Sequence, residues 1–319
     1  MKLTALRPIA VVLSRELAIT GLLLIGVSFV VFIILYLSPG DPFSVLLEGQ
    51  MPTDAARAGI REALGVRTTW YGQYLAWLGN MLRGDFGNSI RSGLPVLGEV
   101  LRVGVNTLIL TLGSLFVTLA LAVPIALHSA RRGMTRLSWP LTIGAYVISA
   151  LPVFWLGYMV IYFFTHKLGL FPLAFGFATG GRKWLYALLP IFVLGIGNGT
   201  ISEVIRSLRE AMERVLDEDY IRTARAKGAS VMKHAFKEGF LIPVTEIVAA
   251  KIPFILGGAV IVEQVFNWPG MGRMAWQAAQ DRDFPVIMGI AILAAVLVRL
   301  GSLFQSVVYV VVNPRASKE

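Results

Sequence analysis

Apolar residues dominate six long runs of this chain, at 17–37, 107–127, 141–164, 185–205, 244–266 and 286–312, and polar residues collect between them. The first run, LAITGLLLIGVSFVVFIILYL, has 21 residues and no charge. At about 1.5 Å per residue such a helix crosses the ~30 Å hydrocarbon core of a bilayer. It is longer than the apolar part of a signal peptide and ends in Ser38-Pro39-Gly40-Asp41-Pro42, so the pattern predicts an uncleaved span stopped by a turn. Pro124, Pro152, Pro190 and Pro253 fall within or beside later runs. Membranes tolerate such breaks where neighbouring helices satisfy the freed carbonyls, so these prolines are candidate bends.

The polar segments differ in character. The longest, 39–106, contains an amphipathic stretch at 71–82 with Tyr74, Trp77, Leu78 and Met81 at helical spacing. Such a helix suits either the outer headgroup region or packing on the rest of the chain. The segment 219–243, DYIRTARAKGASVMKHAFKEGFLIP, is a basic island between two apolar runs. Within it, Gly228 is placed to take a left-handed C-cap, with Arg225 and Lys227 at the negative end of the helix dipole. Small residues on one face of this short helix, Ala224 and Ala229, suit close approach by another protein. A solvated basic loop that only fixes topology is the plainer reading. The organisation is a leader at 1–16, a first span plus outer loop at 17–106, a five-span core at 107–312 with a polar loop at 206–243, and a tail at 313–319.

Composition supports a membrane class. Of 319 residues 56% are hydrophobic and 15% charged, with a mean hydropathy of +0.70. Soluble domains carry roughly 25% charged residues. The net charge of +10 follows from where cations collect. With the N-terminus inside, cytoplasmic segments hold 16 Lys and Arg and the two short outer loops hold five. That asymmetry predicts both termini inside and 219–243 in the cytoplasm. There is no cysteine, and the three histidines are far apart, so no metal site is expected.

Catalytic motifs are missing from the sequence. It contains no G-x-x-x-x-G-K-[ST] phosphate loop, no H-E-x-x-H and no G-x-S-x-G, so no enzyme reading has residues to stand on. Charges inside the spans are few: Glu246, Lys251, Glu263 and Arg299. At bilayer depth a charge faces protein or water. Lys251 and Arg299 either line a translocation path, where they could attract a substrate carboxylate, or pair with a neighbouring helix. Proton coupling would need ionisable groups in series, which the first three runs lack. Phe266–Gly272 reads as an outer turn with an interfacial tryptophan, Trp268.

Several of these stretches together resemble the dipeptide/oligopeptide/nickel-type ABC transporter permease family, in its B-type subunit. In order they are Ser38-Pro39-Gly40-Asp41-Pro42; Gln73–Leu78 leading into Arg83-Gly84-Asp85-Phe86-Gly87-Asn88-Ser89; Ser149–Trp155; Glu203–Arg206 with Arg209; Asp219–Ser230; Glu263–Gly272; and Tyr309–Arg315, ending in Asn313-Pro314-Arg315. The chain departs from the family pattern in three places. The run from Gly228 to Pro243 is shorter by nearly a helical turn, Arg299 stands where an apolar residue is usual, and Asn313 replaces an Asp.

The resemblance implies an all-α fold of six transmembrane helices, the type I ABC importer permease fold, with a large outer loop between spans 1 and 2. It implies a multi-pass protein of the bacterial cytoplasmic (inner) membrane. The implied partners are a second homologous permease, two ABC ATPase subunits that bind ATP and Mg, and an extracytoplasmic substrate-binding protein. No cofactor and no nucleic acid are expected on this chain. Arg222, Thr223, Ala224, Arg225, Lys227, Gly228, Ala229 and Ser230 would couple it to an ATPase as the "EAA" loop. Asp41, Asp85, Glu263, Trp268, Pro269, Gly270 and Gly272 would dock the binding protein or form an outer gate. The expected function is a permease subunit importing di- or oligopeptides or a related small solute. An ion-gradient-driven transporter or a membrane scaffold is the alternative.

Overall fold

The computed structural model describes residues 6–38, 69–171, 183–197 and 199–312. Asp41 and the 313–315 motif lie outside the described residues. Among those residues the only pairing of extended backbone is an isolated bridge between Asn88 and Pro95; the regular elements are helices. In chain order these are α1 (Leu6–Leu37), α2 (Trp70–Met81), α3 (Val96–Arg132), α4 (Ser138–Ser149), α5 (Val153–Val160), α6 (Lys183–Ile196), α7 (Thr200–Leu216), α8 (Asp219–Ala226), α9 (Val231–Phe236), α10 (Ile242–Val265), α11 (Met271–Gln280) and α12 (Phe284–Val312). Two wider π turns continue these, Ile161–Lys167 after α5 and Lys237–Leu241 between α9 and α10.

Among the described residues three helices are long and apolar enough to cross a membrane: Ser14–Leu37, Val96–Arg132 and Phe284–Val308. Three bent pairs raise this to as many as six if each pair is one span. The third apolar run is not one straight helix. Ser138–Ser149 and Val153–Lys167 meet at 105°, across Ala150-Leu151-Pro152. Pro152 brings no N–H to a helix and disfavours helical backbone at Leu151, so the first half ends and the second starts afresh. The fourth run breaks likewise, at 53°, before Gly199 in the left-handed region (φ 74°). Its polar continuation, expected as loop from 206, is the rest of α7 to Leu216. A further 53° bend falls after Pro253. Pro124 and Pro190 lie inside unbroken helices. α1 and α3 also start earlier than their apolar runs, at Leu6 and Val96.

The described parts of Met1–Leu17, Thr107–Trp268 and Val298–Glu319 form one compact unit. Its core joins Leu110, Tyr186, Val193, Leu194, Val262 and Phe266. Hydroxyls of α3 hold α6 close: Ser114 donates to the Ile191 carbonyl at 3.1 Å and Thr118 to the Gly195 carbonyl at 2.6 Å. Small residues permit this approach, since a Cβ on Gly195 would meet the Ser114 carbonyl oxygen at 2.8 Å.

The described parts of Ala18–Asn106 and Pro269–Leu297 form the other unit. Val96, Val100, Met271, Val286 and Ile290 make its core. α2 packs on α1 through Tyr74, whose hydroxyl lies 3.0 Å from Ser28 Oγ and 3.2 Å from the Ile25 carbonyl. The Tyr74 ring meets Phe29 edge-on at 5.4 Å. Of the two readings of 71–82, packing on the chain describes the Tyr74 face. The Arg83–Ser89 motif leads to a second anchor, where Ser89 Oγ donates to buried Asp283 at 2.5 Å.

Candidate coupling site

The basic island folds as an elbow between two short helices. α8 places Asp219 in its first turn and Arg225 in its last, each matching the sign of the helix dipole at its end. Ile221 and Ala224, three apart, turn inward; Arg222, Thr223, Arg225, Lys227 and Gly228 are exposed. Gly228 adopts φ +67°. Its N–H donates to the Arg225 carbonyl at 3.1 Å and the Ala229 N–H to the Ala224 carbonyl at 2.9 Å. These paired bonds are a Schellman cap, which satisfies the carbonyls the helix would leave orphaned.

Two residues later Ser230 opens α9: its side chain accepts from the Lys233 N–H. Between Ala224 and Ser230 lie the last residues of α8, a turn and the cap of α9. α8 ends at Ala226 because Gly228 takes the left-handed conformation. Ala224, expected on the contact face, is 5% exposed and faces the chain's own interior, because it shares the inward stripe with Ile221.

Beneath the elbow, Met212, Ile221 and Ala235 form a small core ringed by Val215, Leu216, Val231 and Phe240. Tyr220 donates to Glu238 Oε2 at 3.0 Å, tying α8 to the second π turn. Desolvation, with the Glu238 carboxylate beside it, raises the Tyr220 phenol to about 12. Asp219 pairs with Arg222 at 3.3 Å. The result is a rigid, cation-bearing corner suited to carboxylates of a partner.

The outer candidates fall into two groups. Asp85 is exposed and caps its own turn, accepting from the Gly87 N–H at 2.8 Å. Glu263, Trp268, Gly270 and Gly272 are buried within the chain and Pro269 partly so, which removes the first four from direct docking. Glu263 is fully buried and accepts from Thr107 Oγ1 at 2.7 Å. Trp268 stacks on Tyr186 at 6.3 Å in the core rather than lying at an interface, because the turn folds inward. The Pro269 carbonyl accepts from Asn106 at 2.7 Å.

The charges within the spans have partners that sequence reading did not supply. Lys251, 6% exposed, pairs with Glu203 of α7. Arg299 pairs with Glu16, which also accepts from Ser306 Oγ at 3.3 Å. Both partners lie far away in sequence, and only their sign was readable.

Helices long and apolar enough to cross a membrane, with a capped polar corner between two of them, fit an integral membrane protein. Residues 9–122 match the N-terminal model, and residues 122–318 the main model, of the binding-protein-dependent transport system inner membrane components, and the chain belongs to that family. It is 37% identical over 308 residues to the oligopeptide transport system permease protein AppB of Bacillus subtilis (strain 168), covering 92% of this chain and 95% of the relative. It is 33% identical over 311 residues to the glutathione transport system permease protein GsiC of Escherichia coli (strain K12), covering 95% and 97%. A probable peptide ABC transporter permease, y4tP of Sinorhizobium fredii, is 32% identical over 313 residues, covering 96% and 98%. The chain is thus a multi-pass membrane permease subunit of a binding-protein-dependent importer.

Proposed function

We propose that this permease imports peptides or a related small solute, and that the elbow at Asp219–Ser230 receives the stroke of an ATPase. The oligopeptide, peptide and glutathione transport named for its relatives supports the solute class. The observation that carries the coupling role is the capped corner itself. It presents Arg222, Thr223, Arg225 and Lys227 outward from a helix whose other face is rooted on Met212.

In this reading each bent pair is one span, giving six, and both termini lie in the cytoplasm with the elbow. A large outer loop joins spans 1 and 2. Domain limits at 16, 106 and 312 follow the same topology, with 206–243 as the cytoplasmic coupling loop. A second permease completes the pathway, two ATPases bind ATP and Mg below, and a binding protein delivers solute from outside. Asp85, and Asp41 in the same loop, are the docking candidates; Glu263, Trp268, Pro269, Gly270 and Gly272 act inside as an outer gate. Closure of the ATPases biases the access states through their different affinity for the elbow in each. Lys251 and Arg299 remain pathway candidates only in a state where Glu203 and Glu16 release them.

The test is co-purification of tagged chain with its partners from mild detergent, wild type against Arg222→Glu/Arg225→Glu. Wild type should bring down a P-loop ATPase and a second permease. The double variant should lose the ATPase and keep the second permease. Wild type isolated alone, yet transporting in vesicles without ATP, would overturn the reading in favour of an ion-gradient carrier.

A further inference from the structure

Arg131 and Arg132 end α3 and Arg136 lies in the turn before α4, three arginines within six residues, all exposed. Among the described residues none of their guanidinium groups has a hydrogen-bond or ion-pair partner. On α7, by contrast, Arg206 pairs with Glu210 and Arg209 with Glu213. No Asp or Glu occurs between Glu99 and Glu203, so this turn has no acidic residue nearby in sequence.

The turn is built to a fixed shape. Thr135 accepts from the Ser138 N–H at 3.1 Å and Ser138 Oγ accepts from the Thr135 N–H at 2.9 Å, a reciprocal pair that closes the turn leading into α4. His128 of α3 lies 3.1 Å from Thr135 Oγ1 and fastens the turn to the preceding helix. Beside the arginines, Met134 (46%), Leu137 (64%) and Trp139 (56%) are exposed. The exposed apolar surface continues up α4 through Leu141, Tyr146 and Val147.

The geometry points to a binding site for an anionic phospholipid at this turn. Unpaired guanidinium groups grip a phosphodiester through paired N–H donors. The exposed Trp139 ring beside them suits headgroup depth, where such rings collect. The exposed face of α4 takes the acyl chains. A soluble partner or a nucleic acid would use the charges alone, whereas a lipid also supplies acyl chains to the adjoining apolar strip. The proposed topology enters only in assigning the lipid to the cytoplasmic leaflet, whose surface potential favours such clusters.

The experiment places purified full-length chain in phosphatidylcholine nanodiscs containing a trace of spin-labelled phosphatidylglycerol or spin-labelled phosphatidylcholine. The motionally restricted fraction of each is read by electron paramagnetic resonance. Phosphatidylglycerol should associate roughly fivefold more strongly than phosphatidylcholine, and the preference should shrink in high salt. It should be lost in Arg131→Gln/Arg132→Gln/Arg136→Gln and kept in the charge-matched control Arg206→Gln/Arg209→Gln/Arg214→Gln. Equal association of the two lipids with wild type overturns the proposal without any variant. So does a preference that survives the first triple substitution. Loss of the preference to inorganic phosphate, but not to chloride of equal ionic strength, marks a free-anion site and also overturns it. If the triple variant does not fold, wild-type tryptophan quenching by brominated phosphatidylglycerol against brominated phosphatidylcholine decides. The excess quenching should vanish in Trp139→Phe, and its persistence there overturns the assignment. These readouts need no ATPase, so they stand or fall apart from the coupling role.

Discussion

Lys251 is buried in α10, and its ion-pair partner Glu203 on α7 is half exposed. The two ends of this pair therefore have unequal fates when the other is removed. Glu203→Gln takes the paired carboxylate from a buried ammonium and should destabilise by about 2 kcal/mol. Lys251→Met leaves a carboxylate that water can reach and should do less harm, with Lys251→Met/Glu203→Gln closer to wild type than Glu203→Gln alone. Thermal unfolding in detergent reads the order, and equal losses from both single changes would contradict it.

At Gly195 the limit is steric. A Cβ there meets the Ser114 carbonyl oxygen at 2.8 Å and the Val117 side chain at 3.0 Å. Gly195→Ala should push α6 off α3 and lower stability by about 1–3 kcal/mol. Thr118→Val at the same contact removes only the hydroxyl that bonds Gly195. A midpoint unchanged in Gly195→Ala would mean the helices part freely.

For Gly228 the limit is the backbone, since a Cβ added there would meet nothing within 4 Å while φ is +67°. ATPase co-purification should then follow left-handed tolerance: Gly first, Asn next, Ala below, Val last. If Gly228→Val binds as well as Gly228→Asn, conformation is not what the position supplies.

The Tyr220 phenol, held near 12 by desolvation and Glu238, should ionise later than an ordinary tyrosine. Its folded value lies above the unfolded one near 10. Its contribution to stability is therefore full below pH 10 and fades as pH rises toward 12. A difference ultraviolet titration against Tyr220→Phe measures the midpoint, and Glu238→Gln should bring it down. A midpoint at the ordinary value in wild type would remove the Tyr220–Glu238 contact from solution.

Apolar run length marked the three helices long enough to cross a bilayer, because bilayer thickness sets a length that composition alone can meet. Gly228 was readable as a helix end because one residue type answers one backbone demand. Proline was less informative: Pro152 marks a 105° break, whereas Pro124 lies within an unbroken helix. Whether a freed carbonyl breaks a helix depends on what packs beside it. The inward turn of Trp268 and Ala224, and the pairing of Lys251 with Glu203, depend on contacts between distant segments. Local periodicity does not contain them.

The Schellman cap and the Ser230 cap have a mechanical meaning. With the backbone bonds of the corner closed internally, the elbow has low compliance and cannot flex cheaply. A torque applied at Arg222 or Arg225 is not dissipated in the turn. It passes through Ile221 to Met212, whose helix also carries Glu203. If an ATPase pulls there, as proposed, the corner would act as a stiff crank and α7 as its shaft.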